Sequence, residues 1–576
     1  MSSYPLIKDD DFYDKINKIY KRFKIPNEKL SIDEYCKPRE FTLQQPQQFL
    51  PGYINPKTPY KSILIYHRIG AGKTCSAIQI AETWKHLKRI VFVLPASLKG
   101  NFKSELRGLC GGNNYLTNAE RAKLAKFQPT DDEYIDIIEK SDERIEKYYD
   151  IYSYNKFIEL AQNGDIRLNN AILFIDEIQN MVSETGTYYK ELYDLIYRST
   201  KDLRIVLLSA TPMFDRPVEI ALTINLLKPA IEIPTGRAFE KMFVQEKKHH
   251  DKIYYTVKNM DIFKKMIKGY VSYYMGAPAY TFPYMTIKYV ECEMSDFQYD
   301  IYKKILKNED MGLLKMNPSK DEIFNATDLP NNFYIGARFV SNIVYPNKKI
   351  NEHGILSLTD KKVRDNLAKY SCKLDRIMTN IRRARGKIFV YSGFKEYAGL
   401  KTVVKILEAF GYKNYRDHGP GKKRFAVWSG DETMKQKDEI REVFNRIDNL
   451  YGEKLKIILG SPSIKEGVSL KAVRYVHVLE PYWNKSRLEQ VVGRASRFCS
   501  HINLPEEERD VKVYVYIAMH PDADITVDQY IKKISETKNA IIKQFEDAIK
   551  EAAVDCRLNK NANQTDDEEE NEIQCM

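Results

Sequence analysis

The feature that most limits what this chain can become is an alternation, met twice, of short apolar runs with longer helical stretches. In the first block SILIY (62–66), RIVFVLP (89–95), AILFID (171–176) and LRIVLLSATP (203–212) are separated by helically periodic segments such as TCSAIQIAETWKHL. Apolar runs this short, bounded by helices, are how parallel strands read when both faces of a sheet are covered. The second block repeats the pattern with KIFVY (387–391), RFAVW (424–428), LKIILG (455–460), YVHVLEP (475–481) and VKVYVYI (511–517). Two tandem α/β lobes with parallel sheets are therefore expected, over 51–230 and 366–520.

The remaining segments are less regular. Residues 1–50 carry helical periodicity (Phe12, Ile16, Ile19, Tyr20, Phe23) and then, from Phe41, a Gln- and Pro-rich entry loop, FTLQQPQQFLPGYINP. Residues 231–365 mix basic helices with loops such as GAPAYTFPY and are expected to be an inserted or bridging region. Residues 521–560 should hold one amphipathic helix, from Ile525 to about Ala553. The last stretch, 561–576, reads as a disordered acidic tail whose composition cannot form a core.

Composition narrows the class. The chain has 576 residues, enough for about three folding units at roughly 100–200 residues each. With 43% hydrophobic and 30% charged residues and a mean hydropathy of −0.50, it reads as globular, not disordered or membrane-embedded. No apolar run approaches the roughly 18 residues that span a bilayer, so no membrane partner is expected. The charged N-terminus lacks a signal-peptide core, which points to an intracellular setting. Eight cysteines lie far apart with no Cys-x-x-Cys pair, and are expected to be reduced and structural. Nine scattered histidines form no metal-ligand spacing. The net charge of +12 hints at a polyanionic partner, and 561–576 hold six acids and no Lys or Arg, so the rest of the chain carries +18.

The sharpest local motif is Gly70-Ala71-Gly72-Lys73-Thr74, directly after the strand SILIY and opening a helix. Glycines there let backbone N–H groups wrap phosphate oxygens at a helix N-terminus, Lys73 neutralises the β- and γ-phosphates of ATP, and Thr74 holds Mg²⁺. His67 stands where the full pattern has a glycine. A strand further on ends in Asp176-Glu177-Ile178-Gln179, placing two carboxylates at the edge where parallel sheets bind ligands. Asp176 suits Mg²⁺, and Glu177 suits the deprotonation of an attacking water. A third strand ends in Ser209-Ala210-Thr211-Pro212, another hydroxyl-bearing tip. In the second block Gln490, Arg494 and Arg497 are spaced i, i+4, i+7, which on a helix is one face. Two guanidinium groups and an amide on one face could reach a γ-phosphate held by the other lobe.

In order, GAGKT, DEIQ, SATP, KIFVYSGF, the loop 460–470 and QVVGRASR resemble motifs I to VI of superfamily 2 helicases, and they cover most of residues 60–500. Within that superfamily the chain looks closest to helicase-like ATPases of large DNA viruses, the group of poxvirus nucleoside triphosphatase I and the early transcription factor small subunit. HRIGAGKTCSAI, the pair Trp483-Asn484 ahead of GRASRFCSH, and CEMSDFQYDIY carry that similarity. The resemblance implies two RecA-like lobes and nucleic-acid-dependent ATP hydrolysis that drives unwinding of, or translocation on, DNA or RNA. It also implies an alternative, an ATPase subunit of a viral transcription complex that works through a viral RNA polymerase or transcription factor partner. Gln47 or Gln48 would contact adenine, and nucleic-acid contacts fall to Pro95, Ser97, Ser209, Thr211, Ser461, Glu466 and Gly467. A viral setting implies the host cytoplasm or a virus factory, with packaging in the virion as a further option. Trp483, beside Pro481-Tyr482, reads as packing and not as a base-stacking wedge.

Overall fold

In the computed structural model the described residues are 4–27, 31–37, 41–68, 70–128, 131–183, 186–249, 252–308, 334–465, 468–563 and 573–576. The first apolar block forms strands β1 (Ser62–His67), β2 (Arg89–Leu94), β3 (Tyr149–Ser153), β4 (Ala171–Ile175) and β5 (Arg204–Ser209). An antiparallel hairpin, β6 (Val244–His249) and β7 (Lys252–Val257), precedes β8 (Val271–Tyr274). Strands β1–β5 and β8 make one parallel sheet in the order β3-β2-β4-β5-β1-β8. The second sheet contains β9 (Tyr284–Glu293), β10 (Lys387–Tyr391), β11 (Lys413–Asn414), β12 (Arg424–Trp428), β13 (Ile457–Gly460), β14 (Val473–Val478) and β15 (Asp510–Met519). Its order is β11-β12-β13-β10-β14-β15-β9, again parallel throughout.

The central strands each feed two cores. On β1, Leu64 and Tyr66 face one hydrophobic cluster and Ile63 and Ile65 another. On β10, Ile388 and Val390 divide from Phe389 and Tyr391 in the same way. Side chains alternate across a strand, so a strand buried on both faces must be apolar throughout.

Residues 231–365, expected as an inserted or bridging region, supply one strand to each sheet: β8 lies beside β1, and β9 pairs with β15 over ten residues. The entry loop of the sequence reading is in part a helix, Gln45–Tyr53. Reciprocal Gln44–Gln47 capping and a proline in the first turn, where its missing N–H costs nothing, make this Gln- and Pro-rich text helical. The amphipathic C-terminal helix runs Val527–Glu551, roughly 37 Å at 1.5 Å per residue, and a capping box at Thr526 starts it. Its first half (Val527, Tyr530, Ile531, Ile534) is buried in the second lobe, and its second half (Ile541, Phe545, Ile549) in the first.

The cysteine expectation is overturned. Cys36–Cys499, Cys75–Cys110 and Cys556–Cys575 are disulfides, while Cys292 and Cys372 are free and buried. Separation along the chain says nothing of separation in space, and Cys36 and Cys499 are 463 residues apart yet have Cα atoms 5.6 Å apart. The stretch 561–576 also differs from an unpacked tail. Residues 561–563 close the helix Cys556–Asn563, and Ile573, Cys575 and Met576 pack against the first lobe. The acids 566–572 lie outside the described residues. No helix among the described residues is long and apolar enough to cross a membrane.

Candidate active site

Strands β4, β5 and β1 are neighbours, so their carboxyl ends bring three of the sequence motifs to one edge. After β1 the chain turns through Gly70 and Gly72, both in left-handed backbone (φ 86° and 70°), into the helix Lys73–Trp84. At Gly72 the left-handed backbone favours glycine, and a Cβ there would stand 2.2 Å from Gln47 Nε2 and displace that amide. Ala71 is buried within the turn. His67 is wholly buried, its Nε2 3.0 Å from the Ser272 hydroxyl, which donates to Asp555 at 2.5 Å. Burial, with the Lys73 charge adding to it, pushes the His67 imidazole down to about 3, so a neutral ring anchors the base of the loop.

Lys73 Nζ reaches Glu177 Oε1 at 2.8 Å and Asp176 Oδ1 at 3.6 Å. Burial pulls the Lys73 ammonium toward neutrality, but the two carboxylates outweigh it and hold Lys73 above the usual lysine range. Burial pushes the Asp176 carboxyl up to about 6. Burial would raise Glu177 as well, but Lys73, Gln179 and the Arg494 charge together hold it below its ordinary value. Glu177 sits in left-handed backbone at φ 50°, a strained position that turns its side chain into the cleft.

Gln179 donates to Glu177 Oε2 at 2.6 Å and accepts from the Ser209 hydroxyl at 2.6 Å. Ser209 Oγ in turn accepts from Thr211 N at 2.9 Å. The Thr211 hydroxyl is buried without a protein partner among the described residues. Tyr154 O–H donates to the carbonyls of Asp176 and Glu177 at 2.5 and 3.1 Å.

From the second lobe come Gln490, Arg494 and Arg497. They do not share a helix: the helix Lys485–Val492 ends at Gly493, so only Gln490 is helical and both arginines lie in the turns that follow. The cleft still gathers all three. With Gly70, Gly72, Lys73, Thr74, Asp176, Glu177 and Thr211 they line a space of about 510 Å³ between the lobes. Arg494 is 6% exposed, and Arg497 donates to the Val468 carbonyl at 3.2 Å.

Of the two glutamines left open by the sequence, Gln47 is buried and donates to the Gly72 carbonyl at 3.4 Å, whereas Gln48 donates to Leu43 away from the loop. Pro95 and Ser97 follow the tip of β2, the first buried and the second exposed. Ser461 follows β13, buried, with its Oγ 2.9 Å from Ser463 Oγ. Glu466 and Gly467 lie outside the described residues. Trp483 is 6% exposed, stacked on Tyr482 with Arg338 over its ring, so it packs in a core of the second lobe. Sequence reasoning missed Gln179 and Arg68 as cleft residues. Only Gln179 carried a signal, by closing the DEIQ tetrapeptide.

Residues 372–499 match the model of the helicase conserved C-terminal domain. Over 574 residues, 100% of this chain and 99% of the relative, the chain is 49% identical to a protein of Acanthamoeba polyphaga mimivirus whose name describes an ATP-dependent RNA helicase. A termination factor NPH-I homolog of African swine fever virus is 26% identical over 568 residues, 87% of this chain and 77% of its own. The crystal structure of the Pyrococcus furiosus Hef helicase domain covers 82% of this chain and 94% of its own at 15% identity, with a TM-score of 0.40, too low to build on. The full-length similarity, carried by a chain with two parallel-sheet lobes around one cleft, places this protein in a family: it belongs to the superfamily 2 helicase-like ATPases of large DNA viruses.

Proposed function

We propose that this protein couples ATP hydrolysis to movement along, or unwinding of, DNA or RNA during viral transcription. The observation that carries the reading is the composition of the cleft, where Lys73, Asp176 and Glu177 of one lobe face Gln490, Arg494 and Arg497 of the other. The residues present fit ATP with Mg²⁺. The left-handed glycine turn opens a helix N-terminus to phosphate oxygens, and the Thr74 hydroxyl and Asp176 carboxylate form an all-oxygen donor pair of the kind Mg²⁺ accepts. When bound, the metal supplies neutralising charge to the phosphates.

Lys73, now paired with Glu177, exchanges that partner for the β- and γ-phosphate oxygens when ATP enters. Glu177 is thereby free to take the proton of a water aligned for in-line attack, while Gln179 holds its second oxygen in place. Arg494 and Arg497 meet the charge developing on the γ-phosphoryl group, and Gln490 orients beside them. Since these groups come from the second lobe, turnover is tied to closure, and closure changes the spacing at which both lobes grip a strand. Contacts to the phosphate backbone, which carries no base information, fall to Pro95, Ser97, Thr211, Ser461, Glu466 and Gly467, whereas Ser209 is wholly buried and acts through Gln179. The basic body supplies a salt-dependent attraction.

The similarity to an African swine fever virus termination factor homolog favours a second reading, an ATPase acting chiefly through a viral RNA polymerase or transcription factor partner, in the virus factory or packaged in the virion. ATP turnover measured in parallel with single-stranded DNA, duplex DNA and single-stranded RNA, with Lys73→Ala as blank, tests the first. Stimulation by at least one polymer is expected, and equal rates with and without all three would overturn it. Strand displacement by the isolated chain, against activity only with polymerase added, separates the two.

A further inference from the structure

The helix Val527–Glu551 has its N-terminal half in one lobe's core and its C-terminal half in the other's. Where it crosses between them its buried face carries Lys538, 2% exposed, with Nζ 2.9 Å from Asp215 Oδ1. Asp215 belongs to the loop that continues the Ser209-Ala210-Thr211-Pro212 tip. Glu219 fixes that loop by accepting from the backbone N–H of Phe214 and Asp215 at 2.5 and 3.0 Å. Phe214 lines the ATP cleft, and the Met213 carbonyl accepts from Ser486 of the second lobe at 3.4 Å. Side-chain contacts run from Lys73 through Glu177 and Gln179 to Ser209, the main chain carries on from Ser209 to Asp215, and Asp215 holds Lys538.

A buried lysine is a poor choice for holding two cores together. A leucine or methionine at 538 would pack between the lobes without desolvating a charge, whereas an ion pair at such a place specifies one arrangement against others. Resting on the proposed function above, we infer that Lys538 and Asp215 are positioning residues for nucleotide-driven closure. The pair registers the long helix against the loop beyond Ser209, so that a change at the γ-phosphate reaches the angle between the lobes. Neither side chain touches the reacting atoms.

The test compares the full chain with Lys538→Met, Asp215→Asn and the swapped pair Lys538→Asp/Asp215→Lys. Leu87 and Ile447, exposed on the first and second lobes, are replaced by cysteine and labelled for energy transfer. The readouts are the transfer change on adding ADP with beryllium fluoride, direct nucleotide binding, and polymer-stimulated against basal kcat. The expected result is that both single variants bind nucleotide like the parent but lose most of the transfer change. Stimulation should fall roughly tenfold, within the usual range for coupling between sites, with recovery in the swapped pair. A merely structural role would lower stability without separating binding from closure. Full closure in folded Lys538→Met, or no recovery in a folded swapped pair, overturns the inference, and should Lys538→Met melt early the swapped pair decides. If the parent closes on nucleotide yet no polymer stimulates it, the proposed function fails while the joint stands.

Discussion

Ser209 donates its hydroxyl to Gln179 Oε1 across 2.6 Å, and the same amide donates from its Nε2 to Glu177 at 2.6 Å. One side chain thus ties the tip of β5 to the carboxylate that faces the cleft, with the Ser209 end of the relay buried and the Glu177 end half-buried. Removing either partner strands a polar group. Ser209→Ala or Gln179→Ala is expected to leave nucleotide binding within about twofold and to cut polymer-stimulated turnover roughly tenfold, the size of an ordinary coupling free energy. Equilibrium binding and stimulated kcat, measured on the same preparations, check this.

Arg497 reaches the cleft from a turn braced by the Val468 carbonyl and by Ser500, not from a helix. Arg497→Ala should bind ATP much as the parent does while turnover falls by about a thousandfold, the lower range for an arginine that stabilises phosphoryl transfer. Parent-like turnover in this variant would contradict the two-lobe site.

Gln47 and Gln48 are adjacent in sequence and differ in their contacts. Only Gln47 touches the glycine turn. Gln47→Ala should raise the KM for ATP roughly tenfold, about one hydrogen bond, and Gln48→Ala should leave it unchanged. Steady-state titration of both variants decides.

Lys387, wholly buried at the start of β10, donates to the Phe444 carbonyl at 2.6 Å. Burial is the main cause that lowers its ammonium from the ordinary 10.5 to about 7. Between those values the unfolded chain holds a proton that the folded chain has lost, so this group makes stability rise with pH over that window. Below about 7 it is charged in both states and its contribution is constant. Lys387→Met removes the dependence. The Tm difference, parent minus variant, should therefore climb from about pH 7 upward, and a flat difference would argue against a depressed lysine.

Cys36 and Cys499 join the segment that leads to Gln47 with the segment that follows Arg497. Peptide mapping without reductant should recover this pair, and its reduction should cost about 2–4 kcal/mol of stability, the usual range for a disulfide. Cys36→Ser should show the same loss and no response of this bridge to reductant.

Most of the strands could be read from the chain because burial on both faces demands apolar residues at every position, a local signature. The strand tips were readable too. A glycine turn before a helix and carboxylates or hydroxyls after an apolar run are short-range patterns whose chemistry follows from the edge they share. What failed were inferences in which local text had to stand for distant geometry. The i, i+4, i+7 spacing of Gln490, Arg494 and Arg497 suggested a helix face, but the helix stops at Val492 and the cleft gathers the three by tertiary packing.

The amino-acid pattern was enough for two parallel-sheet lobes and for the identity of the residues at their tips, since both depend on neighbours within a few positions. Folding in three dimensions set Gln47, not Gln48, against the glycine turn, placed β8 and β9 at the edges of different sheets, paired Cys36 with Cys499, and laid one helix across both cores with Lys538 against Asp215. Each of these joins residues tens to hundreds apart, and periodicity specifies which face of an element is buried but not which distant surface comes to cover it.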